Sequence, residues 1–213
     1  MSQEPLPHLN PAEARLLGCL IEKQRLTPDA YPLTFNSLQA AANQKSSREP
    51  VMALDPADIQ RTLQSLEQQK LVRRVSGSRV ERFEQAASAV FVLTIPQSAL
   101  LALLLLRGPQ TINELLTRSE RMTSFRSADD VREELDMLIG RRPALVKEIG
   151  RAPGQREIRF AHLLSGDVDI ADIAPASPAR EVAPSRTAEL EQRVQTLEEE
   201  VAALKARLDA AGA

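Results

Sequence analysis

Two stretches near the start of the chain place apolar residues at helical spacing. Residues 10–13, Asn-Pro-Ala-Glu, have the form of a capping box with proline at the first helical position, and they predict a helix that ends near Gln24. The apolar stripe of this helix consists of Leu16, Leu17, Leu20 and Ile21. A loop with two prolines follows, and Thr34 is a suitable cap for a second, shorter helix that ends near Asn43.

The stretch from Asp55 to Phe83 predicts a third helix followed directly by a β-hairpin. Asp55 is a good N-cap and Pro56 suits the first turn. The residues that recur at i, i+4 and i+7 are Ile59, Leu63 and Leu66. The period then changes to that of a strand, residues 76–78 predict a turn, and residues 80–83 predict the returning strand. A helix that leads into a hairpin is typical of the second half of a winged helix-turn-helix, whose helix enters the DNA major groove.

The second half of the chain repeats this order. Capping boxes occur at residues 94–97 and 111–114, and Ser127 is the predicted cap of a third helix. The apolar positions of that helix are Val131, Leu135 and Leu138. Two strand-like runs around a Gly/Pro turn follow. The repeat indicates an internal duplication and predicts a mainly α fold with small β-hairpins (α+β), built from two tandem winged helix-turn-helix domains at residues 1–86 and 87–165.

The last part of the chain changes in composition. Residues 166–186 are rich in Ala, Pro, Ser and Asp, and they predict a flexible linker. Residues 187–213 carry a heptad pattern, which predicts a parallel coiled coil that pairs two copies of the chain. The seam consists of Leu190, Val194, Leu197, Val201, Leu204 and Leu208. Because so short a seam is marginal for an isolated coiled coil, a single amphipathic helix folded onto the body is the alternative.

Composition and charge narrow the classes of function. The 213 residues carry a formal net charge of -2, and residues 166–213 contribute 5 basic against 10 acidic side chains, so nucleic-acid binding has to depend on local clusters. Aromatic residues make up 3%, which argues against a base-stacking platform for single strands. The single cysteine, Cys19, lies among apolar helix residues and predicts a core position rather than a disulfide or a metal ligand.

Signals for export, membrane insertion and catalysis are missing from the sequence. The first residues lack a signal-peptide pattern, and the longest apolar run, residues 99–106, is far shorter than the roughly 20 residues of a membrane-spanning helix. No glycine-rich phosphate loop occurs, and neither His8 nor His162 has a cysteine or paired carboxylate at metal-ligand spacing. We therefore predict a soluble cytoplasmic protein with no membrane partner, no enzymatic activity, no cofactor and no metal.

Six short segments together resemble the YceH family of uncharacterised bacterial proteins. These segments are LGCLIEKQ, YPLTFNSLQA, NQKSSREPVM, LVRRVSG, LLLLRGPQT and RAPGQREIRFAHL. They span about residues 9–165 of the chain. The resemblance implies two tandem winged-helix domains, and it implies no established activity, cofactor or catalytic residue.

The outward face of the third helix is the predicted DNA-reading surface. Arginine and glutamine donors read guanine and adenine edges, while basic residues of loops and hairpins contact phosphates. The predicted groove contacts are Arg61, Gln64, Ser65 and Gln68. The predicted phosphate contacts are Lys45, Arg48, Arg73, Arg74, Arg79, Arg151 and Arg156. The alternative for each residue is an ordinary solvated or ion-paired position, and for the loop that carries Lys45 and Arg48 it is an ordinary polar loop.

Two hypotheses of function follow. The first is a dimeric regulator of transcription that binds double-stranded DNA through the first winged helix and the basic hairpins. In the second half, the corresponding helix presents Asp129, Glu133 and Asp136, which DNA phosphates repel. Those carboxylates favour the second hypothesis, a non-catalytic scaffold whose tandem winged helices bind a partner protein. Because the Arg/Gln face, the loop and the first hairpin are expected on one side, we place DNA binding first.

Overall fold

The computed structural model describes residues 6–76, 80–151 and 157–168. Its helices and two small antiparallel sheets give an α+β architecture, as predicted. The first half contains, in chain order, α1 (Pro11–Leu26), β1 (Leu33–Thr34), α2 (Phe35–Ala42), α3 (Pro56–Gln68), β2 (Val72–Ser76) and β3 (Glu81–Gln85). The second half contains α4 (Ala87–Val90), α5 (Ile95–Arg107), β4 (Gln110–Thr111), α6 (Ile112–Ser119), α7 (Ala128–Ile139), β5 (Val146–Arg151) and β6 (Ile158–His162).

Side-chain caps set the starts of the longer helices. Asn10 Oδ1 accepts the backbone N–H groups of Ala12 and Glu13, each at 2.9 Å, and the Glu13 carboxylate accepts the Asn10 N–H at 2.7 Å. These bonds are the capping box predicted for α1. The predicted caps that also accept a backbone N–H of the first turn are Thr34, Asp55, Thr94, Thr111 and Ser127. Local sequence therefore decides where these helices begin.

Both halves have the same sheet topology. The strand order is β1-β3-β2 in the first half and β4-β6-β5 in the second, and every pairing is antiparallel. In each sheet, the hairpin carries a two-residue strand that leads directly into a short helix, α2 or α6. The order of helices and strands in the two halves is the repeat that the apolar pattern predicts.

The Arg-Phe pair near the end of each hairpin has the same role in both halves. The rings of Phe83 and Phe160 are buried. The guanidinium of Arg82 donates to the carbonyl of Pro32 at 2.7 Å, and that of Arg159 donates to the carbonyl of the proline before β4 at 2.8 Å. Each arginine thus ties its hairpin to the loop that precedes the two-residue strand.

A single hydrophobic core spans both halves, because α1 and α5 pack directly against each other. Both helices are buried on nearly all sides. At the crossing, a Cβ atom on Gly18 would lie 2.8 Å from Leu106 Cγ and 3.1 Å from Leu105 Cβ, so glycine allows the close approach. Cys19 is buried in the same core, as predicted, and its burial raises the pKa of the thiol to about 11.

Two predicted features of domain organisation stay predictions. The boundary between residues 86 and 87 falls between β3 and α4, and the common core crosses it. The coiled coil at residues 187–213 lies outside the described residues, as does the linker from residue 169 onward. Among the helices that the structure describes, none combines the length and the apolar character needed to cross a bilayer.

Candidate nucleic-acid interface

The outer face of α3 presents three of the residues predicted to contact bases. The predicted apolar stripe of this helix is buried, and Arg61, Gln64 and Gln68 lie exposed on the opposite side. The guanidinium of Arg61 forms an ion pair with Asp58, yet the arginine side chain is 69% exposed. Because exposed ion pairs contribute little to stability, Arg61 can exchange this partner for another acceptor.

Two predicted phosphate contacts are exposed beside α3. Lys45 lies in the loop between α2 and α3 and forms no ion pair with the residues that the structure describes. Arg73 on β2 pairs with Glu84 on β3 at 2.9 Å, and its side chain is 68% exposed. Both cations are therefore accessible to an anion in solvent.

Arg74, the next residue of β2, is held by two carboxylates. Its Nε atom lies 3.0 Å from Glu67 of α3, and its Nη1 atom lies 3.1 Å from Glu81 of β3. The guanidinium also lies over the ring of Phe83, 5.6 Å from the centroid. The hydrogen bond to Glu67 is the main cause that raises the pKa of Arg74. A phosphate would have to compete with both carboxylates for this side chain.

The structure corrects the role predicted for Arg48. Its side chain is fully buried, and its Nη1 and Nη2 atoms donate to the two Glu22 carboxylate oxygens at 3.0 and 2.6 Å. Its Nε atom donates to the Ala41 carbonyl at 3.1 Å. This bidentate pair anchors the loop between α2 and α3 to α1, so Arg48 does not reach a phosphate on the surface.

The structure also corrects the groove contact predicted for Ser65. Its hydroxyl donates to Glu13 Oε1 on α1 and accepts from Gln69 Nε2 at 3.2 Å. The side chain is half-buried between α1 and α3. Ser65 therefore joins two helices of the body, and its single hydroxyl hydrogen is used within the fold.

The buried charges of α1 were not predicted from the sequence. Arg15 is 1% exposed, and its guanidinium donates to the carbonyls of Ala42 at 3.1 Å and Pro50 at 2.5 Å. Burial lowers the pKa of Arg15. The sequence did contain a signal for this burial. The spacing i, i+4, i+7 relates Arg15, Cys19 and Glu22, so the core position predicted for Cys19 indicates that the other two lie on the same buried face.

The outer face of α7 is acidic, as predicted. Asp129, Glu133 and Asp136 are exposed. Arg132, the single basic residue of this helix, forms ion pairs with Asp136 and Glu148, each at 3.0 Å. No cation of α7 is therefore available to offset the repulsion that these carboxylates would meet in a DNA groove.

The side chains of the remaining predicted phosphate contacts lie outside the part of the chain that the structure describes. Arg79 and Arg156 lie outside the described residues, and only the backbone of Arg151 is described, in β5. Within the described ranges, no group of three or more His, Cys, Asp or Glu side chains is arranged to hold a metal ion. The phosphate contacts of both hairpin tips stay predictions.

The match with known proteins covers both halves of the fold. The model of a family described as "Protein of unknown function, DUF480" matches residues 9–155. The chain belongs to this family. The match agrees with the resemblance to YceH, and DUF480 assigns no activity to either half.

Relatives that carry the name UPF0502 protein match nearly the whole chain. One from Mesorhizobium japonicum is 60% identical over 98% of this chain and 99% of the relative. Another from Xanthomonas campestris is 50% identical over 98% of each chain. A third from Ectopseudomonas mendocina is 50% identical over 87% of this chain and 88% of the relative.

Proposed function

We propose that this DUF480 protein is a regulator of transcription that binds double-stranded DNA, with both halves built as winged helix-turn-helix domains and the first half contacting the groove. In the first half, α3 enters the major groove and the β2–β3 hairpin lies along the phosphates. The observation that carries the proposal is the unobstructed row of Arg61, Gln64 and Gln68 on the outer face of α3. Helical spacing directs these three side chains to one side, where a groove can receive them.

The donors of this row suit base edges. Arginine donates two hydrogen bonds to guanine O6 and N7, and glutamine pairs in the same way with adenine N6 and N7. Lys45, in the loop before α3, and Arg73, on the strand after it, are exposed and would supply charge for the DNA phosphates. The acidic face of α7 keeps the second half away from the groove, so that half contributes through its hairpin or through contacts with protein.

The coiled coil and the cytoplasmic location belong to the same proposal. Pairing of two chains through residues 187–213 would place two copies of α3 on a site with two-fold symmetry. Transcriptional regulators act in the cytoplasm of bacteria, where the proposed DNA target lies. No catalytic step is part of the proposal.

The experiment measures binding to labelled duplexes by fluorescence anisotropy at several salt concentrations. A pool of genomic fragments first supplies a preferred sequence. Arg61→Ala combined with Gln64→Ala should weaken binding to that sequence by about 1–3 kcal/mol per lost base contact, and it should leave random DNA nearly unaffected. Lys45→Ala combined with Arg73→Ala should weaken binding to every sequence and reduce the salt slope by about 2 for each bound chain.

Arg121→Ala is the matched control, because Arg121 is an exposed arginine of the second half without a carboxylate partner in the described residues. It should bind like the wild type. Equal affinities for the wild type and both double variants would refute the placement of α3 in the groove. A wild type without salt-dependent DNA binding would refute the proposal as a whole.

One observation favours a second candidate, a scaffold that binds a basic partner protein. Met137 on the outer face of α7 is 64% exposed and is adjacent to the exposed carboxylate of Asp136. Apolar residues bordered by charge occur at protein–protein interfaces. A scaffold of this kind predicts that the anisotropy experiment gives little salt-dependent binding to random duplexes.

A further inference from the structure

A cavity of about 510 Å³ lies where the start of β2 meets the loop between α7 and β5. Its volume is in the range of small-molecule sites. Its accessible apolar surface comes from Leu6, Pro7, Val90 and Pro143, while Leu71, Phe91 and Leu145 are buried beneath it. The cavity is thus a half-open cleft whose apolar surface is contributed by both halves of the fold.

Two adjacent arginines line this cavity, and no aspartate or glutamate is found among its described lining residues. Arg141 donates from Nη2 to the carbonyl of Phe91, and Arg142 donates from Nη1 to the carbonyl of Arg141 at 3.0 Å. Neither forms an ion pair with a carboxylate in the part of the chain that the structure describes. Arg61 and Arg73, by contrast, each have a carboxylate partner. A carboxylate is the acceptor that binds a guanidinium most strongly, and the two arginines of the cavity lack one among the described residues.

The backbone beside the cavity is strained. Val92 has a φ of 49°, a conformation that is unfavourable for a β-branched residue. Its side chain is 77% exposed, so packing of Val92 does not account for this conformation. The strained residue directly follows Phe91, whose ring forms a wall of the cavity and whose carbonyl accepts the Arg141 bond. Strain of this kind persists where surrounding contacts fix the backbone, and it is concentrated at ligand sites and switches.

We propose that this cavity binds a small carboxylic acid with an apolar body, in its ionised form, such as a medium-chain fatty acid. The carboxylate accepts hydrogen bonds from the guanidinium groups of Arg141 and Arg142, whose planar donors match its two oxygens. Arg141 now donates to the neutral carbonyl of Phe91. A bound carboxylate would share this donor or displace the carbonyl, because a charged acceptor forms the stronger hydrogen bond. The apolar body lies against Leu6, Val90 and Pro143, the lining residues whose apolar surface is accessible. The site does not depend on DNA binding, and its test contains no DNA.

Isothermal titration calorimetry with the full chain tests the site, with octanoate as an aliphatic probe and 3-phenylpropionate as an aromatic one. We expect saturable binding of one equivalent of at least one probe, weaker at high salt, and much weaker binding of octan-1-ol, which lacks the charge. Arg142→Gln should weaken binding about tenfold or more, because it removes a charge-assisted hydrogen bond from an exposed position. Val90→Asp should weaken binding at least as much, because it places a negative charge at the apolar edge.

Two substitutions serve as controls. Arg121→Gln removes an exposed arginine elsewhere, and Val51→Asp adds a charge at a valine that is 57% exposed and does not line the cavity. Both should leave the dissociation constant within about twofold of the wild type. Circular dichroism checks that all four variants fold.

Absence of saturable binding for both probes overturns the proposal. Equal dissociation constants for the wild type, Arg142→Gln and Val90→Asp also overturn it, because binding would then lie elsewhere. If octan-1-ol bound as tightly as octanoate, the two arginines would not recognise the carboxylate, and the proposal would be wrong. Each result is independent of the DNA experiment, so either proposal can fail while the other stands.

Discussion

Replacement of Arg48 by methionine distinguishes a structural arginine from a DNA contact. Methionine retains the unbranched apolar part of the side chain but lacks the guanidinium, and the Arg48 side chain has no exposed surface. The change leaves the Glu22 carboxylate 8% exposed, with Lys23 at 3.5 Å as its nearest cation. It also removes the donors to the carbonyls of Ala41 and Ser47.

The expected loss of stability is large. Removal of one partner from a buried ion pair costs about 3–5 kcal/mol when the remaining charge is uncompensated. Lys23, at 3.5 Å from the Glu22 carboxylate, offsets part of this cost, so we expect a loss toward the lower end of that range. That loss is a large share of the roughly 5–15 kcal/mol that separates most folded proteins from their unfolded states. Removal of both charges avoids the uncompensated carboxylate, so Glu22→Leu combined with Arg48→Met should be less destabilised than Arg48→Met alone. We expect the double variant to lose about 1–2 kcal/mol, from the two carbonyls that lack a donor.

Urea unfolding followed by circular dichroism measures these differences, with Arg121→Met as the exposed control. The control should lie within about 0.5 kcal/mol of the wild type. If Arg48→Met lost less than about 1 kcal/mol, or if the double variant were as unstable as the single one, the buried pair would not hold the loop to α1. If the Arg48→Met protein folded but lost DNA binding, while Lys45→Ala kept it, Arg48 would be a phosphate contact as first predicted.

Two further predictions concern the core and pH. Gly18→Ala should lower the free energy of unfolding in urea by about 1–3 kcal/mol, because the new Cβ atom would overlap Leu106. A loss below about 0.5 kcal/mol would mean that α1 and α5 can move apart without cost. Burial lowers the pKa of His162 to about 4, so below the ordinary value of 6.5 the unfolded chain binds a proton that the folded chain does not. Stability should therefore fall by roughly 1–2 kcal/mol from pH 7.5 to pH 5 through this group alone, and His162→Gln should remove that part of the slope. An identical slope in the variant would contradict the assignment to His162.

The helix starts could be predicted because their signals are local. A cap requires one side chain and the backbone N–H groups two or three residues later, so Asn10, Thr94 and Ser127 are recognisable without knowledge of the rest of the fold. The repeat of element order could be predicted for the same reason. The apolar stripe of α3 likewise fixes its opposite face, and this face is exposed as expected.

The roles of Arg48 and Ser65 could not be predicted because they depend on contacts between segments far apart in the chain. Arg48 lies in a polar loop, and its partner Glu22 lies 26 residues earlier on α1. Ser65 lies beside the buried stripe of α3, where helical period alone does not indicate that Glu13 of α1 is close enough to accept its hydroxyl. In both cases a residue that suits DNA chemically is used to join elements of the body, so residue type without tertiary contacts overestimates the binding surface.

The same contacts limit the electrostatic contribution to DNA binding. Among the described residues predicted to contact DNA, Arg48 is buried and Arg74 is paired with two carboxylates, which leaves Lys45, Arg61 and Arg73 as accessible cations. Arg61 is assigned to a base, so Lys45 and Arg73 are the phosphate contacts of one chain. Two such contacts give a slope of about −2 when the logarithm of the association constant is plotted against the logarithm of the salt concentration, which is roughly a tenfold loss of affinity between 50 and 200 mM salt. Two copies joined through the predicted coiled coil would double that slope to about −4. A slope near −2 that stays unchanged on deletion of residues 187–213 would therefore indicate that a single chain contacts DNA. A slope near −4 that falls by half on the same deletion would link the tail to the pairing of two α3 helices.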